Sequence, residues 1–448
     1  MIVAKFGGTS VSSKERIYAI CQVIKSQLEK EPIIVVSALS GVTDLLLSFL
    51  LVKSKAQTVK KLQELKTLHK KLIDSLWDGE KAQQTLKFID NNLEKITKLL
   101  KKKTNTKRFS DKLVSFGEIM SSYIIAQVLE SQGIRASQII ATELIVTDEN
   151  YSSAEFLPLP TKRNVKKILT PLIKKKVVPV ITGFIGSTKK GQTTTLGRGG
   201  SDYSASIIGF CLGVSEIQIW TDVDGIFSAD PRLLANAKRL LVVSFKEASE
   251  LASFGAKILH PRTIRPAIGA GIPVRVLNTF NINNPGTKIC EKTNMPSGLK
   301  AISFKRKVTL INIYSSEMLL QKGFLARIFQ VFADNNISVD LVSVSEVSVS
   351  VTLDNEQGFA NAVKQLSLFA TVSVSENLGI VSLIGEGITS SPDFINMVFT
   401  ILAKAKILVR MVSLGATNIN ISIVVESNQI EQAVIKLHNN LLERSISS

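Results

Sequence analysis

Thr193-Thr194-Thr195-Leu196-Gly197-Arg198-Gly199-Gly200-Ser201-Asp202-Tyr203-Ser204-Ala205 is the stretch that decides how the larger part of this chain is built. Three glycines within four positions let backbone amides approach a bound group with no Cβ in the way. Arg198 sits among them as a fixed fork of donors suited to a carboxylate or a phosphate. An apolar helical pattern follows at Ala205, Ile207, Ile208 and Phe210, so the loop empties onto a helix N-terminus, which favours anions. No Gly-Lys-Ser/Thr stands at the spacing a Walker A loop needs.

A second loop of this kind opens the chain. Ile2-Val3-Ala4-Lys5-Phe6-Gly7-Gly8-Thr9-Ser10 reads as a short buried strand with a lysine near its end, a Gly-Gly turn and a hydroxyl cap. Apolar residues at Ile17, Ile20, Cys21, Ile24 and Leu28 carry the helix that follows. Alone, Lys5 reads equally well as a surface lysine beside a turn; paired with the loop at Gly197–Ser201, phosphate binding is the better reading.

At 448 residues, 45% hydrophobic and 21% charged, the chain has the composition of a soluble protein of two or three domains. Its longest apolar run, Leu45–Val52, is too short for a membrane span, and no signal peptide is expected at the N-terminus. Cys21, Cys211 and Cys290 match no metal or disulfide spacing, and His69, His260 and His438 are too few for a histidine-based metal site. A reduced, cytoplasmic protein without a protein-bound metal is expected. The formal charge of +18 raises nucleic acid as a partner, but lysine-rich helices carry most of the excess. Between Lys53 and Arg108 there are 16 Lys or Arg against 6 Asp or Glu, interleaved with leucines and isoleucines at helical spacing. That pattern is a solvated helical face, so no nucleic-acid partner is expected.

Near-continuous apolar runs at Ile33–Ser37, Val177–Ile181, Ile217–Thr221 and Val274–Leu277 read as parallel strands covered on both faces. Each of the first three leads into a glycine-bearing loop, at the edge where open α/β sheets bind ligands. Residues 281–300 form a linker by composition. Beyond it the rhythm becomes βαββαβ: strands at Val308–Tyr314, Ser338–Val344, Val347–Leu353 and Thr371–Ser375, helices at Gly323–Asn335 and Gln357–Leu368. A weaker copy runs from Gly379 to Leu442 and lacks its last strand, which Leu299–Phe304 could supply by inserting one module in the other. The domains expected are therefore 1–293, with a helical insertion at about 53–108, then 299–376 and 377–448.

These segments together resemble the aspartate kinases. The resemblance is carried by Lys5-Phe6-Gly7-Gly8-Thr9-Ser10, Ser115-Phe116-Gly117-Glu118, Gly183-Phe184-Ile185-Gly186, the 193–202 loop, Trp220-Thr221-Asp222, Asp230-Pro231-Arg232 and Phe254-Gly255-Ala256-Lys257-Ile258-Leu259-His260-Pro261. It implies an αβα sandwich of the amino-acid-kinase type with a mainly parallel sheet, followed by two ferredoxin-like ACT modules. It also implies ATP-dependent phosphorylation of the β-carboxylate of L-aspartate, the first step toward lysine, threonine, methionine and diaminopimelate. The competing readings are another amino-acid kinase of this fold and a non-catalytic ACT-type amino-acid sensor.

By this resemblance Lys5, with the Gly7 and Gly8 amides, meets the transferring phosphoryl group, and Arg198 binds a substrate carboxylate. Glu118 binds the substrate ammonium, with Ser37, Thr43 and Ser201 as hydroxyl donors; on its residues alone Glu118 reads only as an acid at a helix start. Asp202 either orients Lys5 or caps its helix, and the resemblance favours the catalytic role. Thr221, Asp222, Phe227, Arg232, Lys257 and Ile258 fall where the family holds ATP. Phe227 replaces the usual tyrosine, and Asp224 adds a carboxylate beside that loop. Mg²⁺ is expected mainly on the ATP phosphates. Lysine is the effector implied, at Met318, Gln321, Gly323, Phe324, Leu325, Ser338, Val339, Asp340, Ser345 and Glu346, at an interface between ACT modules of a homodimer or tetramer. Gln321 and Val344 stand where the lysine-sensitive class carries smaller hydroxyl residues.

Overall fold

The structure is a computed structural model that describes residues 1–104, 106–255, 259, 261–291, 297–319, 321–354, 358–415 and 417–443. The chain divides into two compact units. The first holds Met1–Ile226, Leu241–Phe245 and 258–293; the second holds Phe227–Leu240, 246–257 and 294–448.

In the first unit the strands are β1 (Ile2–Phe6), β2 (Pro32–Val36), β3 (Ala136–Ile139), β4 (Val146–Thr147), β5 (Val178–Thr182), β6 (Ile185–Thr188), β7 (Thr193–Thr195), β8 (Glu216–Thr221), β9 (Val242–Ser244), β10 (Val274–Asn278) and β11 (Thr287–Cys290). Eight of them form one sheet in the order β3-β5-β2-β1-β8-β10-β11-β9, and only β10–β11 pair antiparallel. β4, β6 and β7 form a small second sheet. The central strands are buried along almost their whole length, because parallel strands are covered by helices on both faces. The helices of this unit are α1 (Lys14–Ser26), α2 (Val42–Ser48), α3 (Lys55–Leu76), α4 (Gly79–Leu100), α5 (Lys107–Ser131), α6 (Pro158–Lys174) and α7 (Gly200–Leu212); α8 (Phe245–Ser253) follows β9 and falls mostly in the second unit, and α9 (Pro261–Gly269) returns to the first. The lysine-rich insertion is the α3–α4 hairpin. Its Leu65, Ile73, Ile89 and Ile96 are buried in the same apolar cluster as β1, β2, α1 and α5, which leaves its lysines on the solvent side.

Parallel pairing brings the C-terminal ends of β1, β2, β5 and β8 to one edge. Lys5 pairs in register with Val35 of β2 and Ile219 of β8, so its side chain leaves the sheet at that edge.

The second unit contains β12 (Ala301–Tyr314), β13 (Val339–Val344), β14 (Ser348–Asp354), β15 (Thr371–Ile384), β16 (Val409–Leu414) and β17 (Asn420–Glu426), with α10 (Phe324–Asp334), α11 (Phe359–Leu366), α12 (Pro392–Lys404) and α13 (Ile430–Leu441). The six strands form one antiparallel sheet, β13-β14-β12-β15-β17-β16. The sequence suggests separate strands at 299–304, 308–314, 371–375 and 379–384; the structure merges them into two of fourteen residues each. Ala301–Arg306 pairs with Gly379–Ile384 in the second module, and Leu310–Tyr314 with Thr371–Ser375 in the first. The first module is thus inserted in the second. Lys307 and Asn377 take left-handed backbone (φ 59° each) where the two strands cross from one module to the other, beside shifts in register.

Candidate active site

The first unit has a cavity of about 710 Å³ at the C-terminal edge of its sheet. Lys5, Ser37, Thr43, Glu118, Arg198, Ser201 and Asp202, drawn from five separate segments, all line it. Lys5 Nζ lies 2.6 Å from Asp202 Oδ1, with both side chains largely buried. Ser37, just past β2, donates to Ser201 Oγ at 2.9 Å at the start of α7. Gly197 and Gly199 are both left-handed (φ 78° and 67°), which turns the loop sharply enough to enter α7 with Arg198 exposed at its apex. No acid among the described residues pairs with Arg198. Glycine is needed at position 200 for a different reason: a Cβ there would lie 2.5 Å from the ring of Phe184, which also lines the cavity.

At the first glycine loop, the Gly7 N–H already donates to the Trp220 carbonyl at a long 3.4 Å, whereas Gly8 has no such acceptor among the described residues. A Cβ on Gly8 would meet the Ala38 carbonyl at 2.8 Å, so the two loops at this edge pack backbone against backbone. Arg16 steadies the turn by donating to the Thr9 carbonyl at 2.7 Å.

Glu118 is 3% exposed. Its Oε1 accepts the Ala38 N–H at 3.2 Å, and its Oε2 is buried with no hydrogen-bond partner among the described residues. Burial pushes this carboxyl up to about 8, the Ala38 N–H offsetting only part of the effect. A carboxyl held protonated in a pocket is ready to exchange its proton for a cationic ligand.

Sequence reasoning missed Asp111, Ser152 and Asp44, which also line the cavity. A signal for Asp111 did exist: it stands seven residues before Glu118, two helical turns away on the same face of α5. Nothing local marks Ser152. The buried thiols of Cys21 and Cys211 are pushed up to about 12 by burial, which disfavours the thiolate a nucleophile needs. The described histidines are buried elsewhere, His69 in α3 and His438 in α13, and burial lowers both.

The expected ATP residues divide. Thr221 and Asp222 end β8 at the same sheet edge, the Thr221 hydroxyl donating to Asp222 at 3.2 Å. Asp224 does not stand free as its sequence position suggests: it accepts Asn278 Nδ2 at 2.9 Å and Asn281 Nδ2 at 3.3 Å. Phe227 and Arg232 belong to the second unit, where the Arg232 guanidinium is engaged by Asp230 at 2.7 Å. Lys257 and Ile258 lie outside the described residues.

Of the expected lysine-site residues, Gly323 (φ 89°) caps the start of α10, and Phe324 behind it is buried. Gln321, Leu325, Ser338, Ser345 and Glu346 are exposed, while Met318, Val339 and Asp340 are half-buried. Asp340 is already paired, with Lys305 at 2.7 Å, and Lys305 also reaches Asp354 at 3.1 Å. Asp340 is thus paired within its own unit, whereas Glu346, in the β13–β14 turn, is an exposed acid. Among the described residues no three His, Cys, Asp or Glu side chains are grouped to hold a metal ion, and no helix is long and apolar enough to cross a membrane.

The family model of the amino acid kinase family matches residues 1–278, and an ACT domain model matches 311–367 and 381–441. Aspartokinase 1, chloroplastic, of Arabidopsis thaliana is 37% identical over 98% of this chain and 80% of its own length. Lysine-sensitive aspartokinase 3 of Escherichia coli is 34% identical over 99% of both chains. The crystal structure of E. coli aspartokinase III in complex with aspartate and ADP superposes with a TM-score of 0.86, at 34% identity, covering 99% of this chain and 100% of that one. With a cavity at the parallel sheet edge of its first unit, paired ACT modules in its second and this likeness along nearly its whole length, the chain belongs to the aspartokinases of the amino acid kinase family.

Proposed function

We propose that this chain transfers the γ-phosphoryl group of ATP to the β-carboxylate of L-aspartate, giving 4-phospho-L-aspartate and ADP, and that lysine inhibits it. The observation that carries this reading is the convergence of Lys5–Asp202, Ser37–Ser201, Arg198 and the buried Glu118 in one cavity. A carboxylate is already a nucleophile, so no general base is required. One of its oxygens forms the new bond to phosphorus while the bond to the ADP oxygen breaks, and catalysis reduces to positioning and charge neutralisation. Arg198 holds a substrate carboxylate by its fork, and Glu118 takes the ammonium on Oε2. Lys5, held by Asp202, neutralises charge on the transferring phosphoryl, helped by the Gly8 amide; Ser201 and Thr43 supply hydroxyl donors. Asp222 and Thr221 meet the nucleotide at the end of β8.

Magnesium would neutralise phosphate charge when ATP is bound. Among the described residues no three acids are grouped to cage it, and bound on the ATP phosphates it would leave the positioning to Lys5, Arg198 and Glu118. Lysine is the effector because the chain is similar to a lysine-sensitive aspartokinase, with Gly323, Ser345 and Glu346 at the exposed end of the first ACT module. We place the protein in the cytoplasm, consistent with cysteines that form no disulfide among the described residues, as a homodimer through the ACT modules, whose edge strand β13 exposes Val342 and Val344.

ADP release with ATP, Mg²⁺ and L-aspartate, set against L-glutamate, tests the reaction. Turnover with aspartate alone is expected; equal rates with both, or none with either, would sink it.

A further inference from the structure

Asp111 is 1% exposed, yet no cation among the described residues neutralises it. Its carboxylate instead accepts four hydrogen bonds from two segments. Oδ2 takes the N–H of Ser152 at 2.8 Å and the N–H of Thr195 at 2.9 Å. Oδ1 takes the hydroxyl of Ser152 at 3.1 Å and that of Thr195 at 2.9 Å. A buried carboxylate satisfied this fully is a rigid fastener, because each bond to the charged group is stronger than a neutral one.

What it fastens matters. Ser152 is held in left-handed backbone (φ 71°), which a residue with a Cβ adopts only when its surroundings enforce it. The Ser152 carbonyl lies 3.2 Å from where a Cβ on Gly197 would be, so Ser152 abuts the glycine that precedes Arg198. Thr195 is three residues before Arg198 and holds the same loop from below, its carbonyl accepting the Ala154 N–H at 2.9 Å. The root of Arg198 is thus gripped between two residues that Asp111 ties together. The same helix presents Glu118 two turns later, so α5 carries supports for both ends of the pocket.

We propose that Asp111 is a positioning residue for aspartate: by tying Ser152 to Thr195 it sets the reach of the Arg198 guanidinium, and substrate binding rather than phosphoryl transfer depends on it. This rests on the reading that Arg198 holds a substrate carboxylate. The requirement is for aspartate in particular. An asparagine could keep the two backbone N–H bonds only by turning its own N–H₂ onto the two hydroxyls, which must then accept, and it would lose the charge that strengthens all four bonds. The fold does not hang on these bonds alone, because Arg262 also holds the loop, donating to Ser153 Oγ at 2.6 Å and to the Ser153 carbonyl at 3.0 Å.

The test uses the full chain and compares Asp111→Asn, Arg198→Ala and Asp111→Asn/Ser152→Gly for kcat, for the KM of aspartate and of ATP, and for melting temperature. Asp111→Asn should raise the aspartate KM roughly ten- to a hundredfold while kcat and the ATP KM change by less than about threefold. Adding Ser152→Gly should recover part of that loss, since glycine takes left-handed backbone without the carboxylate. An unchanged aspartate KM in Asp111→Asn beside a raised one in Arg198→Ala would overturn the role of Asp111. So would a joint loss in kcat and both KM values, or no recovery on adding Ser152→Gly. An unchanged aspartate KM in Arg198→Ala would instead remove the reading of Arg198, and the proposal with it. Should Asp111→Asn fail to fold, Thr195→Val and Ser152→Ala, each removing one hydroxyl donor, decide in its place: a raised aspartate KM supports the role and an unchanged one refutes it.

Discussion

Glu118 has one carboxylate oxygen on the Ala38 amide and one buried without a partner, and this asymmetry sets a pH dependence. In the free protein the carboxyl stays protonated up to about 8, whereas in the unfolded chain it ionises near its ordinary 4.5. The folded state therefore binds more protons between those values. Stability from this group is full below the lower value and drains away as pH rises toward the upper one. Aspartate binding runs the other way, because the ammonium needs the charged form. The aspartate KM should fall as pH rises toward about 8, by up to about tenfold per pH unit. Glu118→Gln should raise that KM and flatten the profile; a slope that survives the substitution would show that another group titrates. For Lys5, whose partner Asp202 lies 2.6 Å away, the expected effect is in the transition state. Lys5→Ala should lower kcat and kcat/KM together, and a rise in KM alone would move Lys5 to ground-state binding.

At the scale of elements, α7 begins where its first residue can carry no side chain. An alanine at Gly200 would push a methyl to 2.5 Å from the Phe184 ring, and overpacking of this kind costs about 1–3 kcal/mol. Because Phe184 lines the cavity, Gly200→Ala should cost aspartate affinity as well as stability; titrating aspartate into the folded variant checks this, and undiminished affinity would show that Phe184 yields freely. In the second unit, Lys300 at the foot of β12 meets Glu247 of α8 at 2.9 Å, and that glutamate, wholly buried, also accepts the Glu386 N–H at 3.2 Å. Lys300→Met removes a cationic partner from a buried acid and should destabilise the unit, by up to about 3–5 kcal/mol in denaturant unfolding. A loss below about 1 kcal/mol would show that Glu247 does not depend on Lys300. The β12 and β15 strands also explain why their boundaries were not legible. Lys307 and Asn377 interrupt the alternation as a turn would, yet in the sheet they are kinks in strands that continue.

For the whole molecule, inhibition by lysine requires that lysine bind better to the less active state, and the coupling must be reciprocal. Lysine affinity measured by calorimetry should therefore fall about 5- to 150-fold when ADP and aspartate are present. Identical affinities with and without them would exclude an allosteric route. Activity should fall with lysine and stay unchanged with threonine or methionine; inhibition by threonine alone would reassign the effector. Glu346→Ala should weaken lysine inhibition at an unchanged basal rate.

The sequence by itself determined the two folds and the two glycine loops at the sheet edge. Apolar runs, helical spacing and glycines that turn left-handed are properties of neighbouring residues, readable without knowing what lies across the molecule. Arg198 was legible in the same way, as a fork of donors among glycines; Lys5 became so only when paired with the second loop, and Glu118 only through the resemblance. Only the tertiary structure decided which polar groups are free and which are engaged. It gave Asp111 to Ser152 and Thr195, Asp224 to Asn278, Arg232 to Asp230 and Asp340 to Lys305. A charge in a sequence is available to any partner, whereas in the fold it belongs to whichever group lies within about 3 Å, and packing, not spacing along the chain, sets that distance.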